Sequence, residues 1–402
     1  MLTPAAALDA VRGAMRPFDT DIVPLERATG RVLRQAVRAE RDQPPFDRVT
    51  MDGIAIAYDT FARGERRFTI AARQHAGEPP RALGDPGQCV EVMTGAVLPA
   101  QADCVVPVER IAVADGVAAI ESGYAAERGQ YIHPQGSDHR AGTELLAPGA
   151  VVAPADVAII ASCGLTAVEA AGLPVMRVIS TGSELVPAGP PIEAHQVRSS
   201  NGPALLAMLR QHGFDDCAHE ELADEPALLR DRLARHLDEA SVLVLSGGVS
   251  MGKADFVPEV LNALGVERVF HKIAQRPGKP MWFGIGPRGQ AVFALPGNPV
   301  STLVCCRHYV LPALLHASGR SAPPREWALL TEDVTFKADL TAFLPVRLAC
   351  REDATLCATP APTNTSGDFA SLGGTHGYVE LAQDRSHFPQ GTAVPLHRWR
   401  LL

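Results

Sequence analysis

A wholly apolar segment followed by a glycine-rich turn is the feature that most constrains the fold of this chain. Residues 242–245 are Val-Leu-Val-Leu, and the sequence Ser-Gly-Gly-Val-Ser-Met-Gly-Lys-Ala-Asp-Phe follows at 246–256. A short strand without polar residues is typical of a parallel sheet that is covered on both faces. A strand, a glycine turn and a helix start together form a site where backbone N–H groups face an anion. The sequence therefore predicts an α/β sheet with an anionic ligand at this turn.

The surrounding pattern alternates strands and helices from residue 174 to about 316, which predicts a doubly wound α/β domain. Asn201 is predicted to cap the first helix of this region, and Asp224 precedes the second. The predicted strands are 175–180, 242–245, 282–285 and 291–295, and the predicted helices are 201–211, the segment after Asp224, 256–264 and 301–315.

Three loops follow predicted strands at what would be one edge of this sheet, where ligands of open α/β sheets bind. They are residues 181–184, 246–255 and 296–299, and each contains glycine. One glycine pair alone would indicate only a turn, but three such loops at one edge favour a binding site. The residues predicted to contact a ligand there are Thr181, Gly182, Ser246, Gly247, Gly248, Ser250, Lys253 and Gly297.

Three carboxylates, those of Glu184, Asp224 and Asp255, fall in or beside these loops. Glu184 could instead be an acid at a helix N-terminus, and Asp224 could be a helix cap. Asp255 follows a turn that already offers donors and lies next to Lys253. Carboxylates beside a phosphate normally require a divalent cation, because they would otherwise repel the anion. We therefore expect Mg²⁺ bound by Glu184, Asp224 and Asp255.

A second basic element is Arg276-Pro277-Gly278-Lys279-Pro280. The chain has 37 lysines and arginines, of which only four are lysines, and three of these lie between positions 253 and 279. The prolines restrict the loop and so fix where the cations point. Arg276 and Lys279 are therefore predicted to bind an anionic substrate. The alternative is an ordinary solvated basic loop.

The rest of the chain divides into regions of different character. A helix over residues 3–15 and another over 154–164 belong to an N-terminal and linker domain, predicted at 1–45 and 138–172. Residues 46–137 alternate short apolar segments with Gly/Pro turns and are predicted to form a β-rich insertion. The α/β domain is predicted at 173–318, and a C-terminal β-barrel-like domain at 319–402.

Composition excludes several classes of function. The net charge of −8 argues against a nucleic-acid-binding protein, which usually has a basic stripe. No run approaches 18 apolar residues and no signal peptide is recognisable, so neither a membrane span nor secretion is expected. The eight cysteines form no zinc-site spacing, and reduced buried thiols in a cytoplasmic protein are the expectation. None of the 13 histidines is assigned a role.

Several motifs occur in an order that resembles one family. They are T-M-D-G-I-A (50–55), M-T-G-A-V-L-P (93–99), G-S-D (136–138), S-T-G-S-E-L (180–185), S-N-G-P (200–203), S-G-G-V-S-M-G-K-A-D-F (246–256), R-P-G-K-P (276–280) and L-P-G-N-P-V-S (295–301). Taken alone, the motifs before residue 139 would be simple turns. Together the motifs resemble the MoeA family of molybdopterin molybdenumtransferases, to which the E domain of gephyrin is related. The resemblance is looser in the C-terminal domain, where S-G-D-F (366–369) is the matching loop.

The resemblance implies an elongated multidomain homodimer whose α/β domain has the MogA/MoaB fold. Such proteins accept adenylylated molybdopterin, insert molybdate at its dithiolene and release AMP with Mg²⁺ present. Contact with a molybdopterin adenylyltransferase is also implied, and Asp52 and Thr94 are expected to reach the α/β site of the partner subunit. The matching positions are Asp52, Thr94, Asp138, Glu184, Asp224, Asp255, Lys279, Pro296, Pro299 and Ser366.

Two departures from the family pattern stand out. Arg276 replaces the usual lysine of the basic loop, which keeps the charge but changes reach and donor geometry. Ser183 stands where many relatives have aspartate, which removes one possible metal ligand. Two other functions remain open at this point: adenylylation of molybdopterin by the same fold, and a non-enzymatic scaffold.

Overall fold

The computed structural model describes residues 1–249, 256–320, 324–336, 339–361 and 363–400. Helix α1 begins as predicted, because Pro4 occupies its first turn and the Thr3 hydroxyl accepts a hydrogen bond from the backbone N of Ala6 at 3.3 Å. No helix in these ranges is long and apolar enough to cross a membrane. The helices are α1 (Pro4–Ala14), α2 (Tyr58–Ala62), α3 (Pro154–Ser162), α4 (Asn201–Gln211), α5 (Pro226–Glu239), α6 (Val257–Ala263), α7 (Pro299–Cys305) and α8 (Leu311–Ala317), with a π-helical turn (Cys306–Val310) joining the last two.

The predicted insertion is a six-stranded mixed sheet in the order β7-β4-β6-β5-β9-β8. Its two apolar clusters draw on residues between 49 and 132, so the insertion has its own core. The strands of the N-terminal part of the chain are β1 (Thr20–Pro24), β2 (Val37–Arg38), β3 (Arg48–Val49), β4 (Gly53–Ile56), β5 (Arg67–Gln74), β6 (Gln88–Val92), β7 (Cys104–Pro107), β8 (Ile111–Ala114), β9 (Val117–Ile120), β10 (Ile132–His133), β11 (Glu144–Leu146) and β12 (Ala167–Ala171).

Segments before and after the insertion pair with each other. Strand β1 pairs antiparallel with β12, and β2 pairs antiparallel with β11. Leu33 and Ile160 lie in the apolar cluster that these segments share with α3. The chain therefore leaves a small linker unit to form the insertion and then returns to the same unit. The predicted domain boundaries themselves stay predictions, and α1 packs elsewhere: its Ala7 and Val11 lie in the core of the α/β sheet.

The α/β sheet has six strands in the order β16-β13-β17-β21-β20-β18. The first four are mutually parallel, whereas β20 runs antiparallel to both of its neighbours. The strands of this region are β13 (Met176–Thr181), β14 (Leu185–Val186), β15 (Val197–Arg198), β16 (Cys217–Leu222), β17 (Val242–Ser246), β18 (Glu267–His271), β19 (Gln275–Arg276), β20 (Trp282–Ile285) and β21 (Ala291–Leu295).

Both faces of this sheet are covered, as the apolar run predicted. Val242 and Val244 of β17 face the core that contains α1, α4 and α8. Leu243 and Leu245 face the core that contains α5 and α6. Successive residues of a strand point to opposite faces, so every residue of β17 is buried. The doubly wound fold class is thus confirmed.

The C-terminal domain closes into a five-stranded barrel. Strands pair in the ring β24-β25-β22-β28-β26, and β26 pairs again with β24. Strand β19 of the basic loop adds to this sheet beside β24. The predicted barrel-like domain is confirmed, with strands β22 (Glu326–Leu330), β23 (Val334–Thr335), β24 (Thr341–Cys350), β25 (Leu356–Pro360), β26 (Gly377–Leu381), β27 (His387–Phe388) and β28 (Ala393–Arg398).

Two strands of the α/β sheet were missed in the sequence, and both are edge strands. Strand β16 reads Cys-Ala-His-Glu-Glu-Leu, and β18 exposes Glu267, Arg268 and Val269. An edge strand is not buried on both faces, so it shows no apolar run. The N-cap of helix α4 also lies one residue earlier than predicted: Ser200 occupies the N-cap position, and Asn201 is the first helical residue.

Candidate active site at the edge of the parallel sheet

Four parallel strands end at one edge of the sheet, and the predicted loops begin there. Ser180 of β13 lies opposite Ser246 of β17, which in turn lies opposite Leu295 of β21. On the other side, Thr181 lies opposite Leu222 at the end of β16. The loops that follow these strands therefore start side by side. This arrangement brings together the predicted glycine loops and the segment that carries Asp224.

The glycine turn after β17 comes too close to its neighbours for any side chain. Gly247 has φ +104°, and a Cβ there would lie 2.4 Å from the backbone oxygen of Thr181. Gly248 has φ +64°, and its Cβ would lie 2.6 Å from Val257 Cγ2. The backbone N of Gly247 donates to Leu295 O at 3.2 Å, which ties the turn to β21. Glycine is required at both positions for steric and conformational reasons.

Thr181 carries an unused hydroxyl at the floor of this turn. The residue is only 5% exposed, and its Oγ1 has no hydrogen-bond partner among the described residues. A Cβ on Gly247 or Gly248 would lie 2.9 or 3.0 Å from this oxygen, so the hydroxyl faces the turn. A buried polar atom without a partner costs about 1–3 kcal/mol. The predicted ligand contact at Thr181 therefore has a donor available.

Asn201 holds two of the loops together, a role that the sequence analysis missed. Its Nδ2 donates to Ser246 Oγ at 2.8 Å and to the backbone oxygen of Gly297 at 2.7 Å. These bonds explain why Asn201 lies inside helix α4 rather than capping it. The motif Ser-Asn-Gly-Pro at 200–203 was the available signal, but a local capping rule cannot point to partners 45 and 96 residues away.

The loop after β21 connects the sheet edge to the C-terminal domain. Ser366 Oγ accepts a hydrogen bond from Asn298 Nδ2 at 2.8 Å, and Ser366 O accepts one from Val300 N at 3.1 Å. Thr302 Oγ1 donates to Pro296 O at 2.5 Å. Ser366, the matching residue in the looser part of the resemblance, is thus in contact with the loop formed by residues 296–299.

Two of the three predicted carboxylates lie at this edge. Glu184 is exposed, and a Cβ on Gly182 would lie 2.9 Å from both of its carboxylate oxygens. The backbone N of Asp224 lies 3.3 Å from the Ser183 hydroxyl, to which it donates. Strand β14 follows Glu184, and Glu225 occupies the N-cap position of α5. The alternative assignments of Glu184 to a helix start and of Asp224 to a cap are therefore wrong.

The predicted metal site is described only in part. Ser250, Lys253 and Asp255 lie outside the described residues. Within the described ranges, no group of three or more His, Cys, Asp or Glu side chains is placed to hold a metal ion. Glu184 and Asp224 do follow adjacent parallel strands, and they supply oxygen donors of the kind that Mg²⁺ prefers. The oxygen donors of these two residues are suitable for Mg²⁺, which would need at least one further ligand.

The basic loop presents its cations to solvent. Arg276 and Lys279 are both exposed, and neither forms an ion pair within the described part of the chain. The loop backbone is tied down, since Ile273 N donates to Lys279 O at 2.9 Å. Arg276 lies in β19, opposite Ala342 of the barrel. The two positive charges are therefore available to an anion at the junction of two domains.

In the insertion, Asp52 and Thr94 are in direct contact although 42 residues separate them. Asp52 Oδ1 accepts hydrogen bonds from the Thr94 hydroxyl and from its backbone N, both at 2.7 Å. The hydroxyl bond, followed by the backbone bond, lowers the pKa of the Asp52 carboxyl from its ordinary value. The two hydrogen bonds therefore favour the ionised form of Asp52.

Asp138, the third predicted acid before the α/β domain, belongs to a chain of polar contacts. Its Oδ1 lies 3.0 Å from His133 Nε2, and His133 Nδ1 lies 3.0 Å from Arg48 Nη2. Arg48 and His133 face each other in the β3–β10 pair. His133 was missed because one partner, Arg48, lies on a strand that is distant in sequence, and the other, Asp138, is brought to it by a turn. No hydrogen bond or ion pair among the described residues links these two clusters to the sheet edge.

Comparison with known families matches almost the whole chain in three consecutive segments. Residues 2–164 match the MoeA N-terminal region (domain I and II), and residues 328–399 match the MoeA C-terminal region (domain IV). Residues 177–316, which include the parallel part of the sheet except Met176 at the start of β13, match a family described as a probable molybdopterin binding domain. The sheet edge described above therefore lies in the segment that this family defines.

Known proteins resemble the chain over its full length. A molybdopterin molybdenumtransferase from Synechocystis sp. is 40% identical over 99% of this chain and 100% of its own length. One from Synechococcus elongatus is 35% identical over 83% of this chain and 84% of its own. A crystal structure of the molybdopterin biosynthesis MoeA protein from Pyrococcus horikoshii has a TM-score of 0.86 at 29% identity and covers 100% of both chains.

These matches define the class first: a multidomain transferase of molybdenum cofactor biosynthesis, as predicted. Within that class, the chain belongs to the MoeA family of molybdopterin molybdenumtransferases. The resemblance found in the motifs is confirmed.

Proposed function

We propose that this enzyme takes adenylylated molybdopterin and molybdate as substrates, joins molybdenum to the dithiolene and releases AMP by hydrolysis of the pyrophosphate linkage. The observation that carries this proposal is the sheet edge, where the buried Thr181 hydroxyl without a partner among the described residues faces a turn that has no side chain at positions 247 and 248. A turn of this kind suits a phosphate. Water supplies OH to one phosphorus, the bridging oxygen leaves with the other, and both products keep a phosphate. At molybdenum, two Mo–S bonds form while one Mo–O bond breaks, and that oxygen leaves as water with the two thiol protons.

The substrate phosphates bind to groups that are already oriented. The hydroxyl of Thr181 and the backbone of Gly247 and Gly248 line the turn, and Lys279 and Arg276 supply positive charge. Asn201 keeps the Ser246 and Gly297 loops in register. Preorganised donors stabilise developing charge without reorganising during the reaction. No covalent intermediate with the protein is needed.

Glu184 and Asp224, with Asp255, would hold Mg²⁺ at this edge. The ion would neutralise charge on the pyrophosphate and favour departure of AMP. Without a bound cation, these carboxylates would repel an anionic substrate, so they position the substrate only together with the ion. Pro296 and Pro299 restrict the backbone of the loop that Ser366 contacts.

Asp52, Thr94 and Asp138 complete the site from a second subunit of a cytoplasmic homodimer. Two features support this step: the acids are held in defined orientations by Thr94 and His133, and no hydrogen bond or ion pair among the described residues links them to the sheet edge of their own chain. Asp52 and Asp138 would orient water or molybdate. Transfer of substrate from a molybdopterin adenylyltransferase by direct contact is part of the same proposal.

The decisive experiment supplies the purified enzyme with adenylylated molybdopterin, molybdate and Mg²⁺. AMP is measured by chromatography, and bound molybdenum is measured on the cofactor after separation from protein. We expect equal amounts of the two products. A second reaction with ATP and unmodified molybdopterin should yield no adenylylated product. Adenylylation in that reaction, or AMP release without molybdenum insertion, would contradict the proposal.

A charge variant tests the site itself. Lys279→Met should raise the Kd of adenylylated molybdopterin about tenfold, because a charge-assisted contact contributes about 1.5–3 kcal/mol. Arg230→Met is the matched control, since it removes one exposed positive charge from α5 on another part of the surface. Equal effects of the two substitutions would show that only net charge matters.

A further inference from the structure

A buried glutamine and a buried tyrosine lie beneath the basic loop. Gln275 and Tyr309 are both fully buried. The Tyr309 hydroxyl donates to Gln275 Oε1, and Gln275 Nε2 donates to the backbone oxygen of Pro277 at 2.9 Å. The amide oxygen thus accepts from the helix side, and the amide nitrogen donates to the loop and also contacts Cys305 Sγ at 3.6 Å. The two side chains connect the π-helical turn to the loop.

The loop also packs directly on this pair. Gly278 has φ +98°, and a Cβ there would lie 2.5 Å from both Cys305 Sγ and Gln275 Nε2. Cys305 Sγ lies 3.7 Å from Gly278 O, and it precedes Tyr309 by four residues on the same helical stretch. A π-helical turn shifts the side chains that follow it and is often found near functional sites. Here it places Tyr309 within reach of Gln275.

The surroundings of the pair are otherwise apolar. Ile273, Met281 and Cys305 belong to the large core of the α/β domain, and Tyr309 itself is part of it. Burying an amide in such a core is unfavourable unless its hydrogen bonds are satisfied. An apolar side chain would fill the space at lower cost, but it would leave the Pro277 carbonyl without a donor. The hydrogen bonds of Gln275 and Tyr309 therefore stabilise the loop rather than the core.

We propose that Gln275 and Tyr309 are positioning residues for Lys279, fixing the loop backbone so that the ammonium group meets the anionic substrate. The inference rests on the proposed function, in which Lys279 binds a substrate phosphate. Lysine has a long flexible side chain, and each ordered side chain lowers affinity. A rigid backbone beneath Lys279 reduces the remaining disorder and so strengthens binding.

The first variant is Tyr309→Phe, which removes only the hydroxyl. Gln275 Oε1 then loses its donor, and the amide is no longer held against Pro277. We expect the Kd of adenylylated molybdopterin to rise about fivefold, with kcat changed less than twofold. Gln275→Met, which removes both hydrogen bonds at similar volume, should have the same effect and serves as a second variant if the first is poorly folded.

A double-mutant cycle separates positioning from general damage. If Tyr309 acts through Lys279, Tyr309→Phe should change Kd less than twofold when Lys279→Met is already present. The same fivefold effect in both backgrounds would overturn the inference. If Lys279→Met alone leaves Kd unchanged, the proposed role of Lys279 fails instead, so the two failures are distinguishable.

Tyr378→Phe is the matched control. Tyr378 is also fully buried, and its hydroxyl is hydrogen bonded to His308 Nδ1 at 3.0 Å, within the interface between the α/β domain and the barrel. It should lower the thermal unfolding temperature as much as Tyr309→Phe does and leave Kd unchanged. An equal rise in Kd for both tyrosine variants would show that loss of stability, not loop position, weakens binding.

Discussion

At the sheet edge, hydrogen-bonding groups are left open, whereas in the insertion the acidic groups already have partners. The Thr181 hydroxyl has no partner among the described residues, and the Lys279 side chain is exposed. Asp52, in contrast, accepts two hydrogen bonds from Thr94, and Asp138 contacts His133. One region has unused donors, and the other has acceptors whose charge and orientation are set in advance.

This difference indicates what each region does for the reaction. Open donors lower the stability of the protein and are recovered only when an anion binds. Hydrogen-bonded carboxylates keep their charge and need no ligand to stay in place. The sheet edge is therefore suited to bind the substrate, and the insertion is suited to act on a substrate that is already bound. Substitutions in the two regions should consequently change different quantities.

The largest effect is expected for Gly247→Ala at the sheet edge. The new Cβ would lie 2.4 Å from Thr181 O at a φ of +104°, so the turn must move away from β13. Backbone strain of this kind costs about 1–3 kcal/mol. Displacement of binding groups by about 1 Å can lower rates about 100-fold. We therefore expect kcat/KM for molybdenum insertion to fall at least that far.

Gly116→Ala is the control for the backbone strain alone. Gly116 has φ +72° in the turn between β8 and β9, and nothing lies within 4 Å of a Cβ placed there. This variant should lose a similar amount of stability, measured by chemical denaturation, while kcat/KM stays within twofold. A large loss of activity here would mean that strain anywhere in the chain is sufficient, and the contrast between the two regions would disappear.

A smaller and more specific effect is expected for Thr181→Val. The substitution replaces an unpartnered hydroxyl by a methyl group of similar size. The free energy of unfolding should stay equal or rise by about 1 kcal/mol, because a buried polar atom without a partner is removed. The Kd of adenylylated molybdopterin should rise about tenfold, because a hydrogen bond to a charged ligand is lost.

Thr302→Val on α7 is the matching substitution of a buried threonine whose hydroxyl does have a hydrogen-bond partner. Thr302 is fully buried, and its hydroxyl donates to Pro296 O at 2.5 Å. This substitution should lower the free energy of unfolding by about 1–3 kcal/mol, since the carbonyl loses its donor. If both threonine variants lose stability to the same extent, the Thr181 hydroxyl has a partner and the sheet edge is not open.

The sequence predicts the inner part of the α/β domain well for a physical reason. Strands β17, β20 and β21 are buried on both faces, so each shows as an apolar run, and β13 is recognisable by its apolar residues Met176, Val178 and Ile179. The edge strands β16 and β18 are not, and they were missed. The same limit explains the error at Asn201, since local rules describe a cap but not hydrogen bonds to Ser246 and Gly297 on other loops.

The candidate site was predicted in parts by different arguments. The loops at the sheet edge follow from topology, because carboxyl ends of parallel strands must meet. The contact between Asp52 and Thr94 does not follow from topology, and only the resemblance grouped the two residues. His133 had no signal at all, since its partners Arg48 and Asp138 are brought to it by strand pairing and by a turn. Long-range polar contacts are thus the part that a single sequence leaves out.

The smallest effect is expected in the insertion, for Thr94→Val. The hydroxyl of Thr94 is the main cause of the lowered pKa of Asp52, and the backbone N–H remains as the second cause. The pKa of Asp52 should therefore move part of the way back toward its ordinary value of 3.8. Titration of the carboxyl carbon by NMR measures this shift directly. The Kd of the substrate should stay unchanged, unlike that of Thr181→Val.

The sign of the pH dependence follows from the direction of the shift. A carboxyl with a lowered pKa in the folded protein adds stability above its unfolded pKa and loses it as pH falls through the folded value. In the Thr94→Val variant, Asp52 should therefore become protonated at a higher pH than in the parent enzyme. The pH at which molybdenum insertion falls off on the acid side should rise accordingly. Thr94→Ser keeps both hydrogen bonds and should restore the parent profile. If the Val and Ser variants behave alike, the Thr94 hydroxyl does not set the charge of Asp52. The acidic groups of the insertion are then not fixed in charge and orientation before the substrate binds.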